Sequence, residues 1–195
     1  LHTLHGQTMG TSWCVKLVAS PRVDLHALHH GVQTLLDRLV AQMSTWEADS
    51  DISRYNRLTA GNWQVLPEEF FSVLACALHV AAESGGAYDP SIGPLVDVWG
   101  FGPHGRHGDG LPAPAQLAAA RVNIGWQRIV LRPQDRSALQ PGGCHLDLSA
   151  IAKGYAVDQV SAQLRGMGIA AALVEVGGEL HGYGRKPDGE PWRIL

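Results

Sequence analysis

The chain has 195 residues, 45% hydrophobic and 17% charged, with a formal net charge of -3. That is enough for one domain, or two small ones, with a real core, and it excludes a disordered chain. The slightly acidic balance gives no support to a nucleic-acid or polybasic membrane partner, and no apolar run approaches the roughly 20 residues that span a bilayer.

In chain order, Trp13 to Ala19 reads as a strand of β-branched and apolar residues. Ser20-Pro21 follows as a helix start, and Leu25, Leu28, Val32, Leu35, Leu36, Leu39, Val40 and Met43 recur at helical spacing as one core-facing stripe. Ser44 to Asn56 is polar and turn-rich. Pro67 opens a second helix through Phe70, Phe71, Leu74, Leu78 and Ala81, which Gly85-Gly86 ends. Ala87 to Gly102 mixes prolines and glycines with apolar residues, and a glycine- and histidine-rich loop runs from Pro103 to Pro114. Short strands are expected at Gln127–Leu131 and Cys144–Leu148, and a third helix from about Ala152 to Arg165. Ala171–Val176 reads as a buried strand, turned by Gly177-Gly178 into a hairpin partner over Glu179–Gly184. Trp192 to Leu195 looks like the start or middle of a further strand. Cys14, Cys76 and Cys144 lack metal spacing and read as buried free thiols, and the ten histidines as surface residues. Strands joined by hairpins, without regular βαβ alternation, give an α+β class with largely antiparallel pairing.

The run from Asp147 to Asp158 carries the most chemical information. A strand enters small residues and then an amphipathic helix. The first N–H groups of a helix have no intrahelical partners, and its dipole places partial positive charge there. Lys153 adds a full charge at that mouth. The stretch is either an anion site for a phosphate-bearing ligand or an ordinary strand-to-helix connection with a surface lysine.

Several segments then fall in order: Thr8-Met9-Gly10-Thr11; Met43-Ser44-Thr45-Trp46 ahead of Asp49-Ser50-Asp51; Ala87-Tyr88-Asp89-Pro90-Ser91-Ile92-Gly93-Pro94; Trp99-Gly100-Phe101-Gly102; Asp147 to Asp158; Val174-Glu175-Val176-Gly177-Gly178-Glu179; and Pro187-Asp188-Gly189-Glu190-Pro191-Trp192. In this order they resemble the ApbE family of FAD:protein FMN transferases over nearly the whole chain. The resemblance implies a tunnelling-fold-like α+β architecture that binds FAD, and Mg²⁺-dependent transfer of FMN from FAD to a Ser or Thr hydroxyl of an acceptor protein of the respiratory redox-subunit type, with release of AMP. It also implies a periplasmic location, with a lipid anchor outside this chain as the only membrane link. Two other outcomes use the same pocket: an FAD pyrophosphatase giving FMN and AMP, and a non-catalytic FAD-binding or flavin-delivery protein.

By the same resemblance Met9, Trp46, Ala87, Tyr88, Asp89, Ser149, Lys153 and Tyr155 contact the flavin nucleotide, and Ala152 gives a backbone carbonyl to Mg²⁺. No residue is assigned a catalytic role. On their own chemistry, Trp46 offers either an aromatic platform or a buried anchor closing the first helix. Asp89 either accepts from ligand hydroxyls or does turn work beside Pro90. Lys153 pairs with a phosphate or an acidic neighbour, and Tyr155 reaches the ligand or packs inward. Asp147 orients the turn or supports the site from behind. Glu179 meets the cleft or makes a structural hydrogen bond. Trp46 stands where many family members have Tyr, and Ser149-Ala150 where two glycines often occur. Members also run on past the Pro-Trp-Arg-Ile segment into a His-x-x-Asp-Pro-like motif and further metal ligands. The chain, starting at Leu1 without a Met, is therefore expected to be processed or trimmed, C-terminally truncated, and catalytically incomplete alone.

Overall fold

The computed structural model describes residues 1–105 and 110–194. Strands β1 (His2–Thr8) and β2 (Thr11–Val18) lead into α1 (Leu25–Met43) and the short α2 (Asp51–Asn56). Then come β3 (Trp63–Val65), α3 (Glu68–Glu83), α4 (Gly93–Val98), α5 (Pro114–Arg121), β4 (Val130–Arg132), β5 (Ser137–Leu139), α6 (Ala152–Gly166), β6 (Ala171–Val176) and β7 (Glu179–Tyr183). The chain forms two compact units: Leu1–Val40 with Ala150–Leu195, and Ala41–Ser149. This is the expected α+β class with antiparallel sheets and packed helices.

The first unit is built on a four-stranded sheet in the order β1-β2-β6-β7, antiparallel throughout. Its two central strands bury alternate residues. Trp13, Val15 and Leu17 face the core from β2, opposite Val176, Val174 and Ala172 of β6. A period of two puts all six on one face, so the register is fixed by burial. Helix α6 covers β6 and β7 with Ala156, Val157, Val160 and Leu164 buried. Trp13 donates its indole N–H to the Gln33 amide oxygen on α1 at 2.8 Å, which satisfies the polar edge of a buried ring.

The second unit holds a three-stranded antiparallel sheet, β3-β5-β4, and helices α2 to α5. Phe70, Val73, Leu74, Ala77 and Ala81 of α3 are buried. The loops of this unit are held by side-chain amides that substitute for sheet ladders. Asn56 donates to the Leu146 carbonyl at 3.0 Å and accepts from the Leu146 N–H at 2.7 Å. Gln140 donates to the Tyr55 and Cys144 carbonyls, and the fully buried Tyr55 donates its hydroxyl to the Leu139 carbonyl at 2.8 Å.

Several expectations are corrected. Helix α1 starts at Leu25 and not at Ser20-Pro21, because Asp24 caps it, accepting from the N–H groups of His26 and Ala27. The polar stretch after α1 contains α2, capped by Ser50, whose hydroxyl accepts from the Ser53 N–H at 3.1 Å. Cys144–Leu148 is not a strand: only His145 forms a bridge, parallel to Ile92, and its neighbours bond to Asn56 and to the Pro90 carbonyl. The strand expected over Gln127–Leu131 is present only at its end: Trp126–Arg128 is a 3₁₀ turn, and β4 starts at Val130. Trp192 to Ile194 adds no strand; the Trp192 indole donates to the Tyr183 carbonyl at 2.9 Å, and Leu195 lies outside the described residues. The centre of the expected Pro103–Pro114 loop, residues 106–109, also lies outside them. Among the thiols only Cys144 is buried; Cys14 is half-buried and Cys76 exposed on α3.

Replacing Asn56 by Ala removes both bonds to Leu146 and leaves two backbone groups without partners, a loss of about 2–4 kcal/mol in unfolding free energy. Urea denaturation of Asn56→Ala against the unmodified chain measures it.

Candidate functional site

In the first unit, the family-assigned residues gather where three connections end. Met9 and Gly10 form the two-residue turn between β1 and β2, both with positive φ, 51° and 70°. A non-glycine residue in this region costs about 1–2 kcal/mol, so Met9 is held there by the flanking ladder. Gly177 and Gly178 form the equivalent turn between β6 and β7. Gly177 donates to the Ser12 carbonyl at 3.0 Å, and Gly178 donates to the Glu175 carboxylate at 2.7 Å. Glu175 thus does the turn work; Glu179 is exposed and pairs with Val176 through its backbone, its side chain making no hydrogen bond among the described residues.

Helix α6 begins beside the second turn. Its N-cap, Ile151, provides no side-chain hydrogen bond, and the first turn holds no acidic residue. The leading N–H groups of α6 are therefore left without the side-chain cap or carboxylate that usually serves them. Lys153 is half-buried, and its ammonium donates to the Gly177 carbonyl at 3.4 Å. Among the described residues no acidic side chain forms an ion pair with it. Tyr155 is half-buried, and its N–H donates to the Ile151 carbonyl as the helix begins.

In the second unit, Trp46 is 63% exposed in the turn after α1. It is not a buried anchor, so its indole face is available to a ligand. Ala87 is exposed and Tyr88 half-buried. The Tyr88 hydroxyl is buried without a partner among the described residues. Burial, reinforced by the Asp147, Cys76 and Asp89 groups, pushes the Tyr88 phenol up to about 12. Asp89 is largely occupied within the protein. One carboxylate oxygen accepts from the Ser91 N–H and hydroxyl at 2.8 and 2.6 Å, and the other from the Trp126 N–H at 3.2 Å. Ser91, fully buried, in turn accepts from the Gly125 N–H. Turn work is thus the role the structure shows for Asp89, and little of its acceptor capacity is left for a ligand. Asp147 orients its turn as expected, accepting from the Ser149 N–H at 2.8 Å and leaving the Ser149 side chain exposed.

Sequence reasoning missed a small cavity in this unit, about 50 Å³, lined by Thr45, Asn56, Asp97, His145 and Asp147 among others. His145 is half-buried and not a surface residue. Burial lowers its imidazole below the ordinary histidine range; Asp97 opposes this and His104 adds to it. Asp97 accepts from the His104 N–H at 3.3 Å, and both residues line the cavity. The only sequence signal was the alternation of buried and polar positions around Leu146, which read as a strand.

A magnesium ion prefers about six oxygen ligands. Among the described residues no three His, Cys, Asp or Glu side chains come close enough to hold a metal. Ala152 is the first residue of α6 and is buried, and its carbonyl has at most one lone pair beyond the helical bond. The described residues therefore do not assemble a magnesium site.

The fold is that of an α+β protein with antiparallel sheets and packed helices, and it is similar to solved structures of bacterial flavin transferases. The flavinyl transferase ApbE of Pseudomonas stutzeri, apo form, superposes with a TM-score of 0.92 at 39% identity, over 99% of this chain and 64% of that one. The flavin transferase ApbE of Vibrio cholerae gives 0.94 at 34% identity, over 99% and 62%. The ApbE family pattern matches residues 9–195, and the chain belongs to that family. It is 35% identical to the FAD:protein FMN transferase of Haemophilus influenzae over 198 residues, which cover 98% of this chain and 57% of that protein. For the Salmonella typhimurium FAD:protein FMN transferase the identity is 36% over 195 residues, covering 98% and 55%. The chain thus spans little more than half the length of the curated relatives it matches.

Because the Tyr88 phenol is held neutral up to about 12, against the ordinary 10, the unfolded chain loses this proton first as pH rises. The stability that Tyr88 contributes is full below about pH 10 and falls away between about 10 and 12. Phenolate absorbance of the protein minus that of Tyr88→Phe should stay flat through pH 10 and rise near 12; a rise near 10 would contradict this burial.

Proposed function

We propose that this chain binds FAD and belongs to an enzyme that transfers FMN from FAD to a Ser or Thr hydroxyl of an acceptor protein, releasing AMP. The observation that carries this reading is Lys153 at the mouth of α6. The ammonium of half-buried Lys153, with one long bond to a carbonyl and next to helix N–H groups without a side-chain cap, is completed by a diphosphate. The curated relatives are named for this transfer, and the family pattern covers the same residues.

The roles follow from the chemistry of each side chain. Lys153 and the first N–H groups of α6 bind the diphosphate and offset its charge. The exposed indole of Trp46 stacks on a flat ring of the nucleotide. Half-buried Tyr88 offers the exposed part of its ring to the ligand, and its buried phenol remains protonated. Met9, Ala87, Ser149 and Tyr155 supply van der Waals and polar contact, and Asp89 holds the segment that carries Tyr88. Magnesium supplies neutralisation of phosphoryl charge in this chemistry. Because the described residues do not form its site, the reading requires metal ligands from the nucleotide or from elsewhere in the full enzyme. We place the reaction in the periplasm, on a redox-subunit acceptor, with any lipid anchor outside this chain.

The test incubates the protein with FAD, Mg²⁺ and an acceptor peptide bearing Ser or Thr. Flavin covalently attached to the peptide, with AMP released, supports transfer. Free FMN with AMP points to hydrolysis, and FAD bound but unchanged points to binding alone. No binding at micromolar FAD refutes the reading. Trp46→Ala should raise the dissociation constant for FAD by about two- to tenfold, the worth of one stacked ring. Its melting temperature should not change, because the ring is mostly in solvent.

A further inference from the structure

The Gly177-Gly178 turn raises a question that turn chemistry does not answer. A two-residue hairpin turn of this kind needs positive φ at both positions, and Asn-Gly serves as well as Gly-Gly. The backbone of Gly177, at φ 55°, is one that Asn adopts readily, whereas Gly178, at 95°, is further from it. Conformation alone therefore asks for glycine at 178 more than at 177. Packing reverses the order. A Cβ on Gly178 would meet nothing within 4 Å. A Cβ on Gly177 would lie 2.6 Å from Thr11 Cγ2, 3.0 Å from Lys153 Cδ and 3.6 Å from Lys153 Nζ.

From this we infer that Gly177 is a positioning residue for Lys153. Its missing side chain lets the lysine shaft lie across the β6–β7 turn, and its carbonyl holds the ammonium at the start of α6. The turn itself is fixed independently of the lysine. Gly177 N–H bonds to the Ser12 carbonyl, Gly178 N–H bonds to Glu175, and the Val176–Glu179 register closes the hairpin. The turn is thus a rigid rest against which a flexible four-carbon side chain is laid. That matters because a lysine left free in solvent loses rotamer entropy on binding an anion, and one already lying along the turn loses less. Thr11, at the start of β2, closes the other side of the same slot. The glycine thereby sets both the direction and the reach of the cation, without touching the ligand.

This inference deepens the proposed function and rests on it, and the test separates the two. FAD and riboflavin binding are followed by flavin fluorescence for the protein, Gly177→Asn, Gly178→Ala, Lys153→Met and the double variant Lys153→Met/Gly177→Asn. Asn keeps the turn, so Gly177→Asn should fold. It should weaken FAD binding about tenfold while leaving riboflavin, which has no phosphate, within about twofold. In the Lys153→Met background the same change at 177 should cost less than about twofold, since a residue that acts through the lysine has nothing left to act on. Gly178→Ala strains the turn without entering the slot, so it should lower the melting temperature and leave FAD affinity within about twofold. Adding Thr11→Ala to Gly177→Asn should not restore affinity. An equal loss from Gly177→Asn with and without Lys153, an equal loss for riboflavin, or full restoration by Thr11→Ala would each overturn the inference while leaving the functional reading intact. Failure of the unmodified protein to bind FAD would overturn both.

Discussion

The ladder between β2 and β6 is the constraint on which the first unit depends. Trp13 opposite Val176 is its last buried pair, and the chain leaves the sheet one residue later, at Gly177. A slip of one residue would turn Trp13, Val15 and Leu17 out of the core, so burial fixes where the turn falls. The turn in turn fixes the carbonyl on which the Lys153 ammonium rests. A polar contact at the mouth of α6 is thus set by apolar packing inside the sheet, and the lysine needs no acidic partner to hold its place.

The second unit uses a different means to the same end. Its sheet is small, and most of its chain is loop. Position there is set by side-chain hydrogen bonds to backbone: Asn56 on Leu146, Gln140 on Tyr55 and Cys144, Asp89 on Ser91 and Trp126. Each satisfies backbone groups that a loop would otherwise leave unpaired, which makes these residues costly to replace. The segment from Ala87 to Asp89 and the turn from Asp147 to Ser149 are held by such contacts. The exposed Trp46 and Ser149 side chains project from frames of this kind, in which Ser50, Ser53 and Asp147 are the fixed points.

What the sequence made legible follows strength of periodicity. Helices α1, α3 and α6 and the β6–β7 hairpin carry long stripes or unambiguous glycine turns, and their existence could be read directly. Strand β1 could not, because it lies at a sheet edge and buries only Leu4 and Thr8 among polar residues. Helices α2, α4 and α5 are too short to show a helical period, and α4 carries its proline in the first turn. Cys144–Leu148 misled because its alternation of buried and polar residues is real, while its hydrogen bonds go to side chains and to isolated carbonyls. The candidate site residues were found by ordered motifs, which report identity and not environment. Hence the exposure of Trp46 and the carbonyl contact of Lys153 are known only from the structure, the internal work of Asp89 was only one of two readings, and the cavity beside His145 was missed altogether.

The central claim is that the diphosphate of FAD sits on the first turn of α6 with Lys153 as its counter-charge. A crystal structure of the protein grown with FAD tests it most directly. The account predicts phosphate oxygens within hydrogen-bond distance of the N–H groups at 152–154 and of Lys153 Nζ. A diphosphate bound elsewhere, with Lys153 still on the Gly177 carbonyl and the start of α6 facing solvent, would contradict it.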